Sequence, residues 1–185
     1  MRTGKGQVVE LILDSGFRHA RISCAADLIP APGQYLLAGT ASSSDPLPVS
    51  LFSTESTPGS FTACAPIPEA WTPGVEINLR GPLGRGFELP VSARRVVLVA
   101  FEDSSVRLRS LIRPALKQGA GVVLVCGSDE EHLPDELEVQ PLSALDEILA
   151  WADYIAFDVA RENLPGLRER LGEKDQLLAL KEAQA

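Results

Sequence analysis

The chain has 185 residues, 45% of them hydrophobic and 23% charged, ordinary values for a globular protein that exclude disordered and fibrous classes. Its formal net charge is −8, from 17 basic and 25 acidic side chains with no long basic run, so nucleic acid and anionic membranes are not expected partners. No stretch nears the roughly 18 unbroken apolar residues of a membrane span, and Met1-Arg2-Thr3-Gly4-Lys5-Gly6 opens no apolar leader, which makes a cytoplasmic protein the expectation.

In chain order, the first elements are short and β-rich: Val8 to Asp14, Phe17 to Cys24, Gln34 to Ala38, Pro48 to Phe52, Ser60 to Ala65 and Val75 to Leu79. Gly, Pro, Ser and Asp separate them, most of the 14 prolines lie before residue 92, and Val8, Leu11 and Leu13 alternate with polar neighbours. That pattern predicts antiparallel strands closing a small β-barrel over residues 1–92.

After residue 92 strands alternate with helices. Arg95 to Ala100 is a continuous apolar run, the mark of a parallel strand covered on both faces. A helix is predicted next, capped by Ser104 or Ser105, with Leu108, Leu111, Ile112, Ala115 and Leu116 on one face, a kink at Pro114 and Gly119 just past its end. The strand Val122 to Cys126 follows, and Ser143-Ala144-Leu145-Asp146 reads as a capping box opening a helix through Trp151. Tyr154 to Val159 is a further buried strand, and Leu164, Leu167 and Leu171 stripe a helix that stops at Gly172. Residues 93–185 are therefore expected to form an α/β three-layer unit around a parallel sheet. Most of the acidity of the chain lies in this second lobe.

Chemistry-bearing clusters are sparse. Cys24, Cys64 and Cys126 are far apart in apolar segments and read as core thiols, and with only two histidines no zinc-ligand spacing occurs. Glu102 and Asp103 could be a paired-carboxylate acid and base, but adjacent acids at a helix start serve as caps without a His or Lys beside them. Asp129-Glu130-Glu131-His132 reads as a solvated turn in preference to a metal site. Asp158 ends a buried strand, where α/β sheets bind ligands, and is a candidate on that ground.

The strings Pro32-Gly33-Gln34-Tyr35, Pro48-Val49-Ser50, Trp71-Thr72-Pro73-Gly74 and above all Gly81-Pro82-Leu83-Gly84-Arg85-Gly86-Phe87 carry a family likeness. Together with the barrel-then-α/β plan, the sequence resembles the ferredoxin-reductase superfamily, and within it the electron-transfer subunit of dihydroorotate dehydrogenase. On residues alone, Gly81 to Phe87 is also a tight turn using glycines for positive φ. The resemblance implies FAD on the barrel, NAD(H) on the second lobe and a [2Fe–2S] cluster on a C-terminal run of cysteines.

Every one of those cofactor motifs is altered. Where the family has Arg-Pro-x-Ser at the flavin this chain has Leu47-Pro48-Val49-Ser50, losing the guanidinium that forks onto phosphate. Between Phe61 and Pro73, where the FAD pyrophosphate would be cradled, there is no glycine and two prolines lack an N–H. Phe101-Glu102-Asp103-Ser104-Ser105 replaces the Gly-rich dinucleotide loop, the Cys-Gly-Pro strand end becomes Phe157-Asp158-Val159, and no cysteine follows Cys126, so no iron–sulfur cluster is expected.

The expectation is a degenerate ferredoxin-reductase-like protein with no catalytic residues and no cofactor. It would act as a non-catalytic subunit or scaffold on a dehydrogenase-type partner or a second copy of itself. The alternative is an FAD-binding electron-transfer subunit holding flavin through Pro48, Val49 and Ser50. A third possibility is a small-ligand sensor using a cleft between the lobes. The segment Asp175 to Glu182, with Leu177, Leu178 and Leu180 clustered, is a helix-prone tail that packs on its own lobe or in a partner's groove.

Overall fold

The computed structural model describes residues 1–14, 17–40, 47–64, 66–101, 105–127 and 133–171. The expectations for Glu102, Asp103 and Ser104, for the Asp129 to His132 turn, for Gly172 and for the Asp175 to Glu182 tail lie outside them. By contacts the chain divides into two compact units, Met1–Gly86 and Phe87–Ala185.

The first unit is a closed antiparallel barrel of β1 (Arg2–Asp14), β2 (Phe17–Cys24), β3 (Tyr35–Gly39), β4 (Val49–Thr57), β5 (Ser60–Cys64) and β6 (Glu76–Leu83), in the order β1-β2-β5-β4-β3-β6. Period-two burial builds it. Along β6, Ile77 and Leu79 point inward while Glu76, Asn78 and Arg80 face out. The interior is filled by Val8, Ile22, Leu36, Leu51, Phe61 and Trp71 with their neighbours.

Three strands run longer than the sequence pattern foretells. β1 begins at Arg2 because Arg2 to Gln7, too polar to read as a strand, pair with Gly81 to Glu76 of β6. β4 continues through Ser53 to Thr57 and β6 through Leu83, both into segments poor in apolar residues. The expected alternation of Val8, Leu11 and Leu13 is broken by a bulge between Val8 and Glu10, so Val8 is buried and Leu13 is exposed.

The Gly81 to Phe87 string is also used differently from a plain turn. Gly81 to Leu83 finish β6, the Gly81–Pro82 peptide is cis, and the turn proper starts at Gly84. Gly81 has φ 146°, and a Cβ there would sit 2.8 Å from Leu36 Cδ2 and 3.1 Å from the Tyr35 carbonyl oxygen. Only glycine lets β3 and β6 approach so closely.

The second unit has a four-stranded, all-parallel sheet in the order β10-β7-β8-β9: β7 (Arg95–Ala100), β8 (Gly121–Cys126), β9 (Glu138–Pro141) and β10 (Tyr154–Asp158). Side chains alternate between two cores. Val96, Leu98, Val122, Leu124 and Ala156 pack with Leu108, Leu111, Ile112 and Ala115 of α1 (Val106–Lys117). Val97, Val99, Val123, Val125, Ile155 and Phe157 pack with Leu145 and Leu149 of α2 (Leu145–Trp151) and with Leu164 and Leu167 of α3 (Leu164–Leu171). Helices thus cover both faces, as the uninterrupted apolar strands require. Each fully buried Leu or Val contributes roughly 1.5–3 kcal/mol of transfer free energy.

β9 is an element the sequence does not announce. Glu138-Val139-Gln140-Pro141 has a single large apolar side chain and sits at the edge of the sheet, where proline is tolerated. The helix termini are mixed. Gly119, with φ 76°, closes α1 as foretold: its N–H donates to the Leu116 carbonyl and the Ala120 N–H to that of Ala115, a Schellman motif. Ser105 occupies the N-cap position of α1 without making the cap bond, since its Oγ accepts from Arg109 Nε at 3.3 Å instead. The capping box at Ser143 is not formed, because Leu142–Ala144 is a 3-10 turn and Ala144 precedes the helix.

At the amino end of the sheet, Asp153 Oδ1 accepts the Arg95 N–H at 2.9 Å and the Arg94 N–H at 3.1 Å, tying the start of β7 to the entry of β10. Burial pushes this carboxyl up, but those N–H groups and the Arg95 guanidinium outweigh it and hold it below the usual range. A depressed carboxylate stabilises the fold above the ordinary carboxyl pKa of about 4 and loses that effect as pH falls through the folded value. Asp153→Ala is therefore expected to cost about 1–2 kcal/mol at pH 7, by urea unfolding, and progressively less as the pH falls below the ordinary carboxyl value through the lower folded one.

Candidate functional site

Two places merit the description of candidate site, one in each unit. In the barrel, Pro48, Val49 and Ser50 lead into β4, where Val49 pairs with Ala38 and Ser50 with Leu37 of β3. Leu47, the residue standing where the resembled motif has arginine, is 77% exposed. Val49 and Ser50 are half-buried and Pro48 is exposed. Beyond them Tyr35 and Phe52 place their rings 5.5 Å apart across β3 and β4. These positions offer backbone and the hydroxyls of Ser50 and Tyr35, and no cation for a phosphate.

The segment between β5 and β6 is organised around Trp71. Its side chain is fully buried in the barrel core, and its backbone N–H donates to the Pro68 carbonyl. Arg18 Nη2 donates to the Trp71 carbonyl at 2.8 Å and to that of Glu69 at 3.2 Å. Sequence reading takes this segment as a rigid surface crossing; in the fold it is the plug of the barrel, with Ile67 buried beside Trp71. Pro66 and Pro68 have no N–H to donate, so the segment supplies no run of amides to an anion.

In the second unit the carboxyl ends of β7 and β10 lie side by side, with Asp158 opposite Ala100. The Phe101 N–H donates to the Asp158 carbonyl at 3.0 Å, and the Phe101 and Phe157 rings stack with centroids 6.3 Å apart. Asp158 is 5% exposed, and its Oδ1 accepts from Arg107 Nη1 at 3.2 Å, an ion pair between the strand end and the first turn of α1. Carboxyl ends of parallel strands are where open α/β sheets receive ligands, commonly anionic ones at a helix N-terminus. Here that edge carries a buried carboxylate with its own cation.

Asp158 is thus a sequence candidate that the fold places at a strand end, and Arg107 is the partner that sequence reading missed. A basic residue on the polar side of a helix gives no sign of which carboxylate it will face. Cys24, Cys64 and Cys126 lie on β2, β5 and β8; Cys64 and Cys126 are buried, while Cys24 is only partly so, with its thiol pushed up by burial and by Asp27. Among the described residues, no three His, Cys, Asp or Glu side chains come together as a metal site. None of the described helices is long and apolar enough to cross a membrane.

No protein-family model matches the sequence, and no curated protein matches it. Solved structures do. The chain is similar to the ferredoxin reductase of carbazole 1,9a-dioxygenase, with a TM-score of 0.73 at 18% identity over 95% of this chain and 65% of that one. It also resembles the siderophore-interacting protein of Acinetobacter baumannii, with a TM-score of 0.64 at 16% identity, covering 97% of this chain and 87% of that one. Against the ferredoxin-NADP+ reductase of Plasmodium falciparum the TM-score is 0.60 at 11% identity, over 93% and 91% of the two chains. The chain spans just under two thirds of the length of the first of these. Barrel and parallel sheet together are the two-domain ferredoxin-reductase fold. The narrower likeness to the electron-transfer subunit of dihydroorotate dehydrogenase rests on the sequence strings alone.

Proposed function

We propose that this chain is a ferredoxin-reductase-fold protein without redox chemistry of its own, related to dihydroorotate dehydrogenase electron-transfer subunits. In this reading it works as a non-catalytic subunit or scaffold for a dehydrogenase-type partner or a second copy. The observation that carries the reading is the Asp158–Arg107 pair at the carboxyl edge of the parallel sheet. A dinucleotide there would bring two negative phosphates toward a buried carboxylate whose cation is already engaged. An isolated like-charge contact at 4 Å costs from about 1 kcal/mol in water to about 4 kcal/mol near a protein surface, of which the paired Arg107 charge offsets a part. Exposed Leu47 and the proline-bearing segment before Trp71 support the same conclusion for flavin phosphate. A folded chain with two intact cores and no chemistry persists by binding.

The test is direct. Protein purified under mild conditions is expected to be colourless, and NADH titrated into it by calorimetry to give no heat of binding. Stoichiometric flavin absorbance near ~450 nm would establish the second reading, an FAD-binding electron-transfer subunit using Pro48, Val49 and Ser50. That reading draws its support from neighbours of this fold such as a flavohemoglobin described with bound FAD. Micromolar NADH affinity would overturn the argument from Asp158.

A further inference from the structure

The outer face of the barrel carries a groove of about 550 Å³ across β1, β6 and β3, within the size range of small-molecule sites. Two cross-strand rows build it. Thr3, Arg80 and Leu37 stand opposite one another in one, and Lys5, Asn78 and Gly39 in the other. Of the flavin-motif residues, only Pro48 lines it.

Its charge is specific. Lys5 is ion-paired with Glu76, whereas Arg80 has no carboxylate partner among the described residues and spends one N–H on the Met1 thioether, a weak acceptor. Among the described residues, then, one lining cation without a carboxylate partner faces the groove, on a chain whose net charge is −8. Opposite it are apolar Leu37 and Pro48 and the bare backbone of Gly39, where a Cβ would find nothing nearer than Pro48 Cα at 4.0 Å. Asn78 adds an amide for a polar edge.

We infer that this groove binds a small organic monocarboxylate with a flat apolar body. The Arg80 fork takes the carboxylate and the Leu37–Gly39–Pro48 side takes the ring. A planar guanidinium matches a carboxylate in bidentate geometry, and the single described lining cation without a carboxylate partner suits one negative charge better than the two of a phosphate monoester. The site is independent of any redox cofactor, so its fate and that of the proposed function are decided separately.

The probe is 2-naphthoate, titrated into isotope-labelled protein and followed by amide chemical shifts. Saturable shifts at Lys5, Leu37, Gly39, Asn78 and Arg80 are expected. Arg80→Gln should weaken the affinity by about tenfold, as loss of a charge-assisted pair implies, and neutral 2-naphthamide should bind wild type about tenfold more weakly than the acid. Gly39→Leu, at a position whose backbone suits any residue, should abolish the shifts by filling the groove. If that variant does not fold, the Arg80→Gln comparison decides alone. No saturable shift at these amides, equal binding of acid and amide, or an unchanged affinity in Arg80→Gln would overturn the inference. Tighter binding of 2-naphthyl phosphate would overturn the choice of carboxylate.

Discussion

Replacing Trp71 by alanine is expected to remove about 3–5 kcal/mol of stability, the range for deleting a large buried aromatic side chain. A domain of ordinary stability has about 5–15 kcal/mol in all, so the variant barrel stands near its unfolding limit at room temperature. The reason lies in position. Trp71 is the largest fully buried side chain and sits among Val8, Ile22, Leu36, Phe61 and Ile77, so its removal opens a cavity lined from several strands. Trp71→Phe should cost clearly less, because it keeps most of the ring contacts and removes an indole N–H that has no hydrogen-bond partner among the described residues. Urea unfolding monitored by circular dichroism reads both variants. A loss below about 1 kcal/mol in Trp71→Ala would show that the indole is not a core plug.

Arg107→Met is expected to cost about 2 kcal/mol. Breaking a buried ion pair by removing one partner costs up to about 3–5 kcal/mol, because the remaining charge loses that counter-charge. The side chain of Arg107 is 42% exposed and that of Asp158 only 6%, so water relieves part of the loss and the lower figure applies. The double variant Arg107→Met with Asp158→Asn should recover at least half of it, since a neutral amide needs no counter-charge. A double-mutant cycle checks the claim. If the two changes simply add, Asp158 does not depend on Arg107, and the electrostatic case against dinucleotide binding at that edge weakens with it.

The two-unit plan was legible because its determinants are local. Ile77 and Leu79 alternate with polar neighbours in β6, and Val96 to Ala100 form an unbroken apolar run, so the barrel and the buried parallel strand each declare themselves within a few residues. Gly119 ends α1 for an equally local reason, a backbone conformation that suits glycine. What escaped were features set by partners distant in sequence. Arg2 to Gln7 are a strand because β6 lies beside them, and Glu138 to Pro141 because β8 does.

The candidate sites divide in the same way. From residue types alone the chain could be seen to lack a guanidinium at Leu47 and donors at Pro66 and Pro68, because those motifs are contiguous strings. The pairing of Asp158 with Arg107 joins residues 51 positions apart, and the groove joins Lys5, Leu37 and Arg80 from three strands. Pairing register and chain crossover bring such groups together. A charge acquires its chemical meaning from the neighbour the fold supplies, and for Arg80 and Asp158 only the tertiary structure decided which neighbour that is.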